Sequence, residues 1–371
     1  MKKLKTKIFE IRGLYNSDLE ESTKEQIIIT TRTRIARNIS GFRFNSISSS
    51  KEKKDISNII KNVFSESSSS KNYIFYDISK LSETQRRFLL ERHILSPEMT
   101  MQLYGKSLIL KFDPSYPKKT VSVLLNEEDH LRIQSIMQGL EIYKTYDDVL
   151  KLEKIFEKKL SFCFDSNFGY LTSCPTNIGT SLRVSIIAHL PALVASGNIE
   201  DFVKNLIKIG CSIRGFFGEN SEVVGNLFQI SNLASLGKDE KQILDEMHAV
   251  CLNIIDAEKE SIQFLKRNKQ ISVEDSILRS YGMLKYAKML CFGESLELLS
   301  MIKLGQTLGV LGNLNSFDFY QLISLLGEAN IILGLKNKIG YIDERNKADR
   351  IDEIRAEIIR EKILKDSDNN V

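Results

Sequence analysis

The sequence predicts an α+β protein: a catalytic domain over residues 1–236, built on a mixed or antiparallel sheet flanked by helices, and a helical C-terminal domain over 237–371. Three observations carry this. Short β-branched and aromatic runs crowd the first half before any convincing helix, which disfavours a doubly wound parallel sheet. Beyond Leu236 the apolar residues recur at helical spacing with little strand propensity. At about 150 residues per domain, 371 residues accommodate two cores.

In chain order, Ile27–Thr31, Tyr73–Tyr76, Ser107–Phe112 and Thr120–Leu125 read as strands. The serine- and lysine-rich stretches Ser46–Lys54 and Ser65–Lys71 read as exposed loops. From Leu140 to Leu160 the positions Tyr146, Val149, Leu152, Ile155 and Phe156 line one face of a long helix. Strands return at Ser161–Phe164 and Phe168–Thr172, followed by a polar turn and a helix start near Arg183. Four helices follow, at Lys238–Phe264, Glu274–Leu290, Glu294–Leu308 and Phe317–Leu335, and Asp366–Val371 reads as a frayed end.

Composition narrows the function. With 52 basic and 48 acidic residues the net charge of +4 is too small for a nucleic-acid-binding surface, so any basic site is local. The basic start Met1–Glu10 lacks an apolar core of signal-peptide length, and the run Ile186–Ala195 is broken by His189 and Pro191. The expectation is a cytoplasmic protein that neither enters nor crosses a membrane. The five cysteines are odd in number and contain no Cys-x-x-Cys, so neither a zinc site nor a disulfide framework is signalled. Cys163, Cys251 and Cys291 have apolar neighbours and are expected to be small core residues, whereas Cys174 lies in a polar turn before Pro175. The chain contains no Gly-x-x-x-x-Gly-Lys-Ser/Thr loop and no His-Arg-Asp loop, which excludes P-loop enzymes and ordinary protein kinases.

The arginines are distinctive. Arg32 and Arg34, in Thr30-Thr-Arg-Thr-Arg34, share one face of a strand by their two-residue spacing. Arg132 and Arg183 each follow a polar turn, and Arg214 precedes a glycine. Permanently charged, bidentate donors at several loop ends suit a polyphosphate clamp. The run Asn126-Glu-Glu-Asp129 crowds three acids at a strand end, and Glu219 follows Arg214. Carboxylates from two loops can hold a planar guanidinium and take its proton as its nitrogen attacks a phosphoryl group. Cys174 can assist as a thiolate beside the same cation.

Together, Thr-Arg-Thr-Arg, Asn126-Glu-Glu-Asp-His-Leu-Arg132 and Cys174-Pro-Thr-Asn-Ile-Gly-Thr-Ser-Leu-Arg183 resemble the phosphagen (guanidino) kinases. Arg214-Gly-Phe-Phe-Gly-Glu219 and Gly225–Asn232 bring the chain closest to the bacterial protein arginine kinases of that family. The resemblance implies ATP as phosphoryl donor and Mg²⁺ held by the nucleotide, with no metal site on the protein. It places Arg32, Arg34, His93, Arg132, Arg183 and Arg214 on the nucleotide, Glu128 and Glu219 on the substrate guanidinium, and Cys174 at the reactive cysteine. It implies protein substrates with exposed arginines, a zinc-finger activator and Clp-protease clients in a stress response. It also implies a homodimer formed through the C-terminal domain.

Two rivals stand beside this reading: a kinase of a free small guanidino compound, and a non-catalytic phosphoarginine-binding adaptor. Only about 25 residues precede the first motif strand, so the helical N-terminal domain of the small-molecule enzymes is expected to be missing. Intact acids at Glu128 and Glu219 oppose decay to an adaptor. The C-terminal Arg-Asp-x-x-Arg-Ala motif, implied to bind phosphoarginine, reads Ile351-Asp-Glu-Ile-Arg-Ala356 here. Asp352 and Arg355 remain of it. Ile351, Ile354 and Ile358 form an apolar stripe, and Arg350 points about 100° away.

Overall fold

A computed structural model of the chain describes residues 27–112, 119–216, 222–268, 270–312, 314, 319–335 and 346–363. Its strands are β1 (Ile28–Arg37), β2 (Ile74–Asp77), β3 (Ser107–Phe112), β4 (Lys119–Leu125), β5 (Leu131–Gln138), β6 (Phe164–Asp165), β7 (Gly169–Tyr170), β8 (Arg183–His189), β9 (Cys211–Gly215) and β10 (Leu227–Asn232). Eight of them form one sheet in the order β2-β3-β4-β5-β1-β8-β10-β9, and β6 and β7 form a small hairpin. The β2–β3, β3–β4, β4–β5 and β5–β1 pairings are all antiparallel, as the strand-first sequence order predicts. The described chain falls into two compact units that interleave along the sequence. Thr30–Ile186 with Ser231–Ala249 make the first, and Ile187–Ile230 with the residues from Val250 onward belong to the second.

In the first unit, strand parity separates two chemistries. Thr33 and Arg37 on β1, Ser135 on β5 and Lys119 on β4 all reach the helix Ile142–Glu157. Thr33 Oγ1 shares a 2.7 Å hydrogen bond with Thr145 Oγ1, and Arg37 Nε donates to Glu153 Oε1 at 2.6 Å. Lys119 Nζ and the Ser135 hydroxyl donate to the two oxygens of Asp148, at 2.8 and 3.1 Å. Side chains alternate across a strand, so the intervening residues Arg32, Arg34, Arg132 and Gln134 occupy the opposite face. The third arginine of β1, Arg37, therefore belongs to the helix-covered face although it lies only three positions from Arg34.

Four sequence expectations change. Of the three cysteines expected in the core only Cys251 is buried; Cys163 is half-buried and Cys291 is exposed, capping the helix Phe292–Leu308. Ser46–Lys54 is not wholly loop, because the helix Ser50–Ser65 begins within it. Ser49 caps that helix and Glu52 completes a reciprocal capping box, while Ile56, Ile60 and Phe64 bury one face. Lys-rich composition masked this i, i+4, i+8 stripe. Most of Ser65–Lys71 forms part of a short 3₁₀ turn, Ser68–Asn72, on the same segment. The turn after Phe168–Thr172 leads into strand β8 rather than a helix, with Arg183 as its first residue. The expected frayed end, Asp366–Val371, lies outside the described residues.

The second unit is mainly helical. Glu240–Asn268, which belongs to this unit from Val250 onward, Ile271–Tyr286 and Phe292–Leu308 match three expected helices, and the fourth divides into Phe319–Leu326 and Glu328–Leu335. Lys347–Ile363 adds one more. Leu284, Leu296, Leu299, Ile302, Leu322 and Ile359 are among the buried residues of its core. The Gly225 turn packs onto the helix Phe292–Leu308 so closely that an added Cβ would lie 2.7 Å from the Leu296 carbonyl oxygen, at a φ of +62°. No helix among the described residues is long and apolar enough to cross a membrane.

Within this unit Glu258 is buried and accepts the backbone N–H groups of Ala192 and Leu193 at 2.8 and 2.9 Å, capping the helix Pro191–Ala195. Burial pushes its pKa up to about 7, against the two amide hydrogen bonds. A carboxyl raised above its unfolded value of about 4.3 disfavours the folded state once it must ionise. Its contribution to stability therefore falls as pH rises from about 4 to 7. Glu258→Gln is expected to flatten that part of the pH–stability curve, as measured by denaturant unfolding at pH 5 and pH 8. An unchanged pH difference would show that Glu258 titrates normally.

Candidate active site

The described site lies within the first unit, on the sheet face opposite the helix Ile142–Glu157. Antiparallel register sets Arg34 opposite Gln134 and Ala36 opposite Arg132, so Arg32, Arg34 and Arg132 share one face. Arg32 Nε donates to Ser185 Oγ on β8 at 3.2 Å, bringing that strand to the same face. Arg183, two residues earlier on β8, donates to Ser231 Oγ at 3.3 Å. The β8 register is held by Asn232, which accepts from Val184 N at 2.8 Å and donates to Leu182 O at 3.0 Å. The motif residue Asn232 thus positions Arg183.

Four guanidinium groups converge here. Burial, then the charges of Arg32, Arg132 and Arg183, hold the Arg34 pKa well below its ordinary value, with Glu127 opposing them. Such mutual repulsion stores a demand for anionic charge. His93, in the turn after the helix Glu83–Glu91 at a left-handed φ of 55°, feels the charge of Arg32. Burial and the Arg32 charge push its pKa down to about 3, so it is neutral at physiological pH. Gln134 fixes this segment by donating to Ile94 O at 2.8 Å and to Ser122 Oγ at 3.0 Å.

The acidic run between β4 and β5 divides into scaffold and site. Asn126, at a φ of 56°, donates to Gly105 O at 2.8 Å and to Ser57 Oγ at 3.1 Å. Asp129 is buried and accepts from Asn38 Nδ2 and Ser173 N, both at 2.7 Å. His130 Nδ1 accepts from Ile39 N at 3.0 Å. These three residues pin the loop. Glu127 and Glu128 are left facing Arg132, whose Nη1 bonds Glu127 and whose Nη2 meets Glu128 Oε2 at 3.0 Å.

The two glutamates differ. Burial alone would raise the Glu127 pKa, but Arg132, the Ser96 hydroxyl at 2.5 Å, the Glu128 amide at 2.9 Å and Arg34 together hold it below the ordinary carboxylate range. Glu128 is more exposed, and its pKa is raised, first by burial and then by Asp129, Glu127 and Glu98, with Arg132 opposing. Sequence reading singles out Glu128 and passes over Glu127. Two adjacent glutamates look alike in one dimension, and only the loop's path shows which one is buried.

Cys174 approaches Glu128 through its own loop. Ser173 Oγ donates to Glu128 O at 2.9 Å, and Asn177 Nδ2 lies 3.5 Å from Glu128 Oε2. Cys174 Sγ sits 3.1 Å from Thr176 Oγ1 and is partly exposed. The loop closes where Tyr170 and Gly179 exchange backbone hydrogen bonds of 2.8 and 3.3 Å. An added Cβ at Gly179 would lie 2.7 Å from the Ser235 carbonyl oxygen, so glycine is required there at its φ of +110°.

The structure therefore brings together Arg32, Arg34, His93, Arg132, Arg183, Glu128 and the Cys174 loop. Arg214 lies on β9 in the second unit. Glu219 falls outside the described residues. Asp352 and Arg355 also belong to the second unit, where Arg355 is 3% exposed. Its Nε donates to Leu326 O at 2.9 Å, while Nη1 donates to Leu290 O at 2.7 Å and pairs with Asp352. Ile351 is 3% exposed in the core, and Arg350 pairs with Glu353 at 2.5 Å.

Comparison with known proteins identifies this arrangement. Residues 55–261 match the sequence family ATP:guanido phosphotransferase, C-terminal catalytic domain, and residues 270–371 match the Protein-arginine kinase McsB C-terminal domain. The chain belongs to the ATP:guanido phosphotransferase family. Within that family its curated relatives include the Protein-arginine kinase of Brevibacillus brevis, 33% identical over 349 residues, covering 92% of this chain and 93% of the relative. That of Halothermothrix orenii is 33% identical over 327 residues, covering 86% and 92%. Among solved structures, the duplicated taurocyamine kinase from Schistosoma mansoni aligns with a TM-score of 0.57 at 23% identity, over 72% of this chain and 39% of that one. Lombricine kinase aligns with a TM-score of 0.53 at 20% identity, over 70% and 76%. These structures share the guanidino-kinase fold.

The Glu127–Arg132 pair generates a prediction. Removing the Glu127 charge leaves Arg132 only the more exposed Glu128 as a partner, and breaking a buried pair in this way costs up to about 3 kcal/mol. Glu127→Gln is expected to destabilise the protein by that order at pH 7 in denaturant unfolding. Because the folded Glu127 pKa is lowered, its contribution is present above the unfolded value of about 4.3 and is lost as pH falls through the folded value. The wild-type–variant difference should shrink below pH 4. A difference near zero at pH 7 would remove Glu127 from the scaffold.

Proposed function

We propose that the chain is a protein arginine kinase, transferring the γ-phosphoryl group of ATP to arginine guanidinium groups of protein substrates. The observation that carries this is the convergence of four guanidinium groups beside a carboxylate loop, in a chain whose relatives over most of its length are named protein-arginine kinases. A crowded, partly neutralised set of arginines fits a polyphosphate, which supplies the missing negative charge. Arg32, Arg34, Arg132 and Arg183, with Arg214 and neutral His93, hold the nucleotide phosphates. Mg²⁺ enters with the nucleotide and neutralises phosphate charge.

In the transfer, Glu128 and Glu219 orient the acceptor guanidinium. Its nitrogen forms the new N–P bond while the bond to the bridging β–γ oxygen breaks, and that electron pair leaves with ADP. The proton lost from nitrogen passes to one of the two carboxylates. The raised Glu128 pKa favours this, because a base works best when its pKa approaches the working pH. Cys174, on the loop fastened to Glu128, flanks the same guanidinium.

A kinase of a free guanidino metabolite is the rival from the same fold. The taurocyamine and lombricine kinases resemble the chain at only 20–23% identity, whereas the protein-arginine kinases match at 33% and the C-terminal region has its own family match. We extend the proposal to a cytoplasmic homodimer assembled through residues 237–371, acting in a stress response with a zinc-finger activator and Clp-protease clients. Phosphoarginine binding at Asp352 and Arg355 requires Arg355 to exchange its carbonyl contacts for a phosphate.

Four measurements test this reading. Incubation with Mg²⁺–ATP and an arginine-rich unfolded protein is expected to yield acid-labile phosphate on protein in preference to free arginine. The opposite preference would install the metabolite kinase. Glu128→Ala is expected to lower turnover by at least about 10²-fold with ATP binding retained. Arg183→Lys is expected to rescue poorly relative to Arg183→Ala, since a point charge does not replace a fork. Full activity of the lysine variant would refute phosphate clamping by fork geometry. Calorimetric titration of phosphoarginine into wild type and Asp352→Ala tests the C-terminal contact, and equal heats would assign the pair to folding alone.

A further inference from the structure

One buried side chain joins the segments that carry Glu128 and Cys174. Asn38 directly follows β1, in the same parity as Arg32 and Arg34, and is 1% exposed. Its Nδ2 donates to Asp129 Oδ1 at 2.7 Å and to Leu171 O at 3.2 Å, and its Oδ1 accepts from His130 N at 2.9 Å. Its carbonyl accepts from Cys163 N at 2.8 Å. The end of β1, the loop between β4 and β5, the residues before β6 and those between β7 and Cys174 therefore meet at Asn38, all within the first unit.

The contacts close into a ring. Asp129 Oδ1, which accepts from Asn38, also accepts from Ser173 N at 2.7 Å, and Asn38 bonds the chain again at Leu171, just before Ser173. Asn38 thus ties the acidic loop to the Cys174 loop, and Ser173 Oγ completes the junction by donating to Glu128 O at 2.9 Å. The segment after Asn38 reinforces the acidic side. Ile39 N donates to His130 Nδ1 at 3.0 Å, His130 Nε2 donates to Arg43 O at 2.9 Å, and Asn45 Nδ2 donates to Glu127 O at 3.1 Å. Position 38 calls for a short carboxamide, which donates from nitrogen and accepts at oxygen in the same plane. An ionised aspartate lacks the donor, and leucine lacks both.

From this we infer that Asn38 is a positioning residue for the acceptor half of the site. Buried as it is, it touches neither nucleotide nor guanidinium; it acts by fixing Glu128 and the Cys174 loop relative to each other. The inference rests on the protein arginine kinase reading, in which those two elements flank the target arginine, and adds to it a residue outside the motifs. The nucleotide half is held by other means. The β1–β5 pairing, which runs to Arg37 opposite Leu131, holds Arg32, Arg34 and Arg132, and Asn232 holds the strand of Arg183. Releasing Asn38 therefore leaves the arginines in place and lets the two sides of the acceptor site drift apart. A misplacement of about 1 Å costs about 10²-fold in rate, because the attacking nitrogen then spends little time in line with the phosphoryl group.

The test uses the full-length protein with Asn38→Leu, which removes the side-chain hydrogen bonds at similar volume, and Asn38→Asp, which keeps the shape and the acceptor and serves if the leucine variant does not fold. Turnover on an arginine-rich unfolded protein is counted per ATP-binding site, from calorimetric titration of ATP, so that a loss of folded protein does not register. Both variants are expected to lower kcat by about 10²-fold with ATP affinity within a few-fold of wild type. Alkylation by iodoacetamide, mapped by mass spectrometry, reads the loop without phosphoryl transfer. Relative to exposed Cys291, Cys174 should label about tenfold faster than in wild type, the factor that one hydrogen bond to a charged group carries. Turnover within a few-fold of wild type, an unchanged Cys174 to Cys291 ratio, or ATP affinity lost together with turnover would each overturn the assignment. A wild type that transfers nothing to protein would instead overturn the kinase reading, and the labelling ratio would then decide the role of Asn38 by itself.

Discussion

The repulsion among Arg32, Arg34, Arg132 and Arg183 is the constraint around which the first unit is organised. Like charges at this spacing are tolerated only where rigid elements hold them and anionic groups balance part of the charge. Antiparallel register holds Arg32, Arg34 and Arg132 at fixed height and face, and Asn232 holds the strand of Arg183. Glu127 does part of the balancing from a buried position secured by Ser96 and the Glu128 amide. In the proposed reaction the nucleotide phosphates add further negative charge. Preorganisation of this kind serves phosphoryl transfer, in which positioning and charge stabilisation supply most of the rate enhancement.

The same logic explains why an acidic loop lies among the arginines. Asn126, Asp129 and His130 spend their hydrogen bonds on the backbone of neighbouring segments, so the loop cannot swing. Arg132 then bridges Glu127 and Glu128, leaving one glutamate low in pKa and the other raised. Two chemically identical side chains acquire different duties from their surroundings: arginine charges and hydrogen bonds outweigh burial at Glu127, and burial wins at Glu128. The Cys174 loop, tied to the backbone of Glu128 and the carboxylate of Asp129, inherits that rigidity.

In the second unit polar groups serve packing. Glu258 caps a short helix, and Arg355 closes three segments through the Leu326 and Leu290 carbonyls and Asp352. Ile351 sits in the core on the same helix as Arg355. An arginine at position 351 would carry its charge into that core, which accounts for the apolar residue there.

Local patterns determined much of this protein. Two-residue spacing placed Arg32 and Arg34 on one face, and 3.6-residue spacing located the helices Ile142–Glu157 and Glu240–Asn268, because strand and helix periodicity are properties of the backbone itself. The motif residues Glu128, Cys174 and Arg183 were legible as site candidates from their types and order. Other features depended on neighbours distant in sequence. The helix Ser50–Ser65 was hidden by its lysines until Ile56, Ile60 and Phe64 found a core, and Arg183 opened a strand because Asn232 held it in register. Arg37 was drawn into a buried pair with Glu153, and Glu127 rather than Glu128 became the buried acid. A sequence states which charges and shapes are available, but burial and register, which set their pKa values and directions, arise only when segments far apart in the chain pack together.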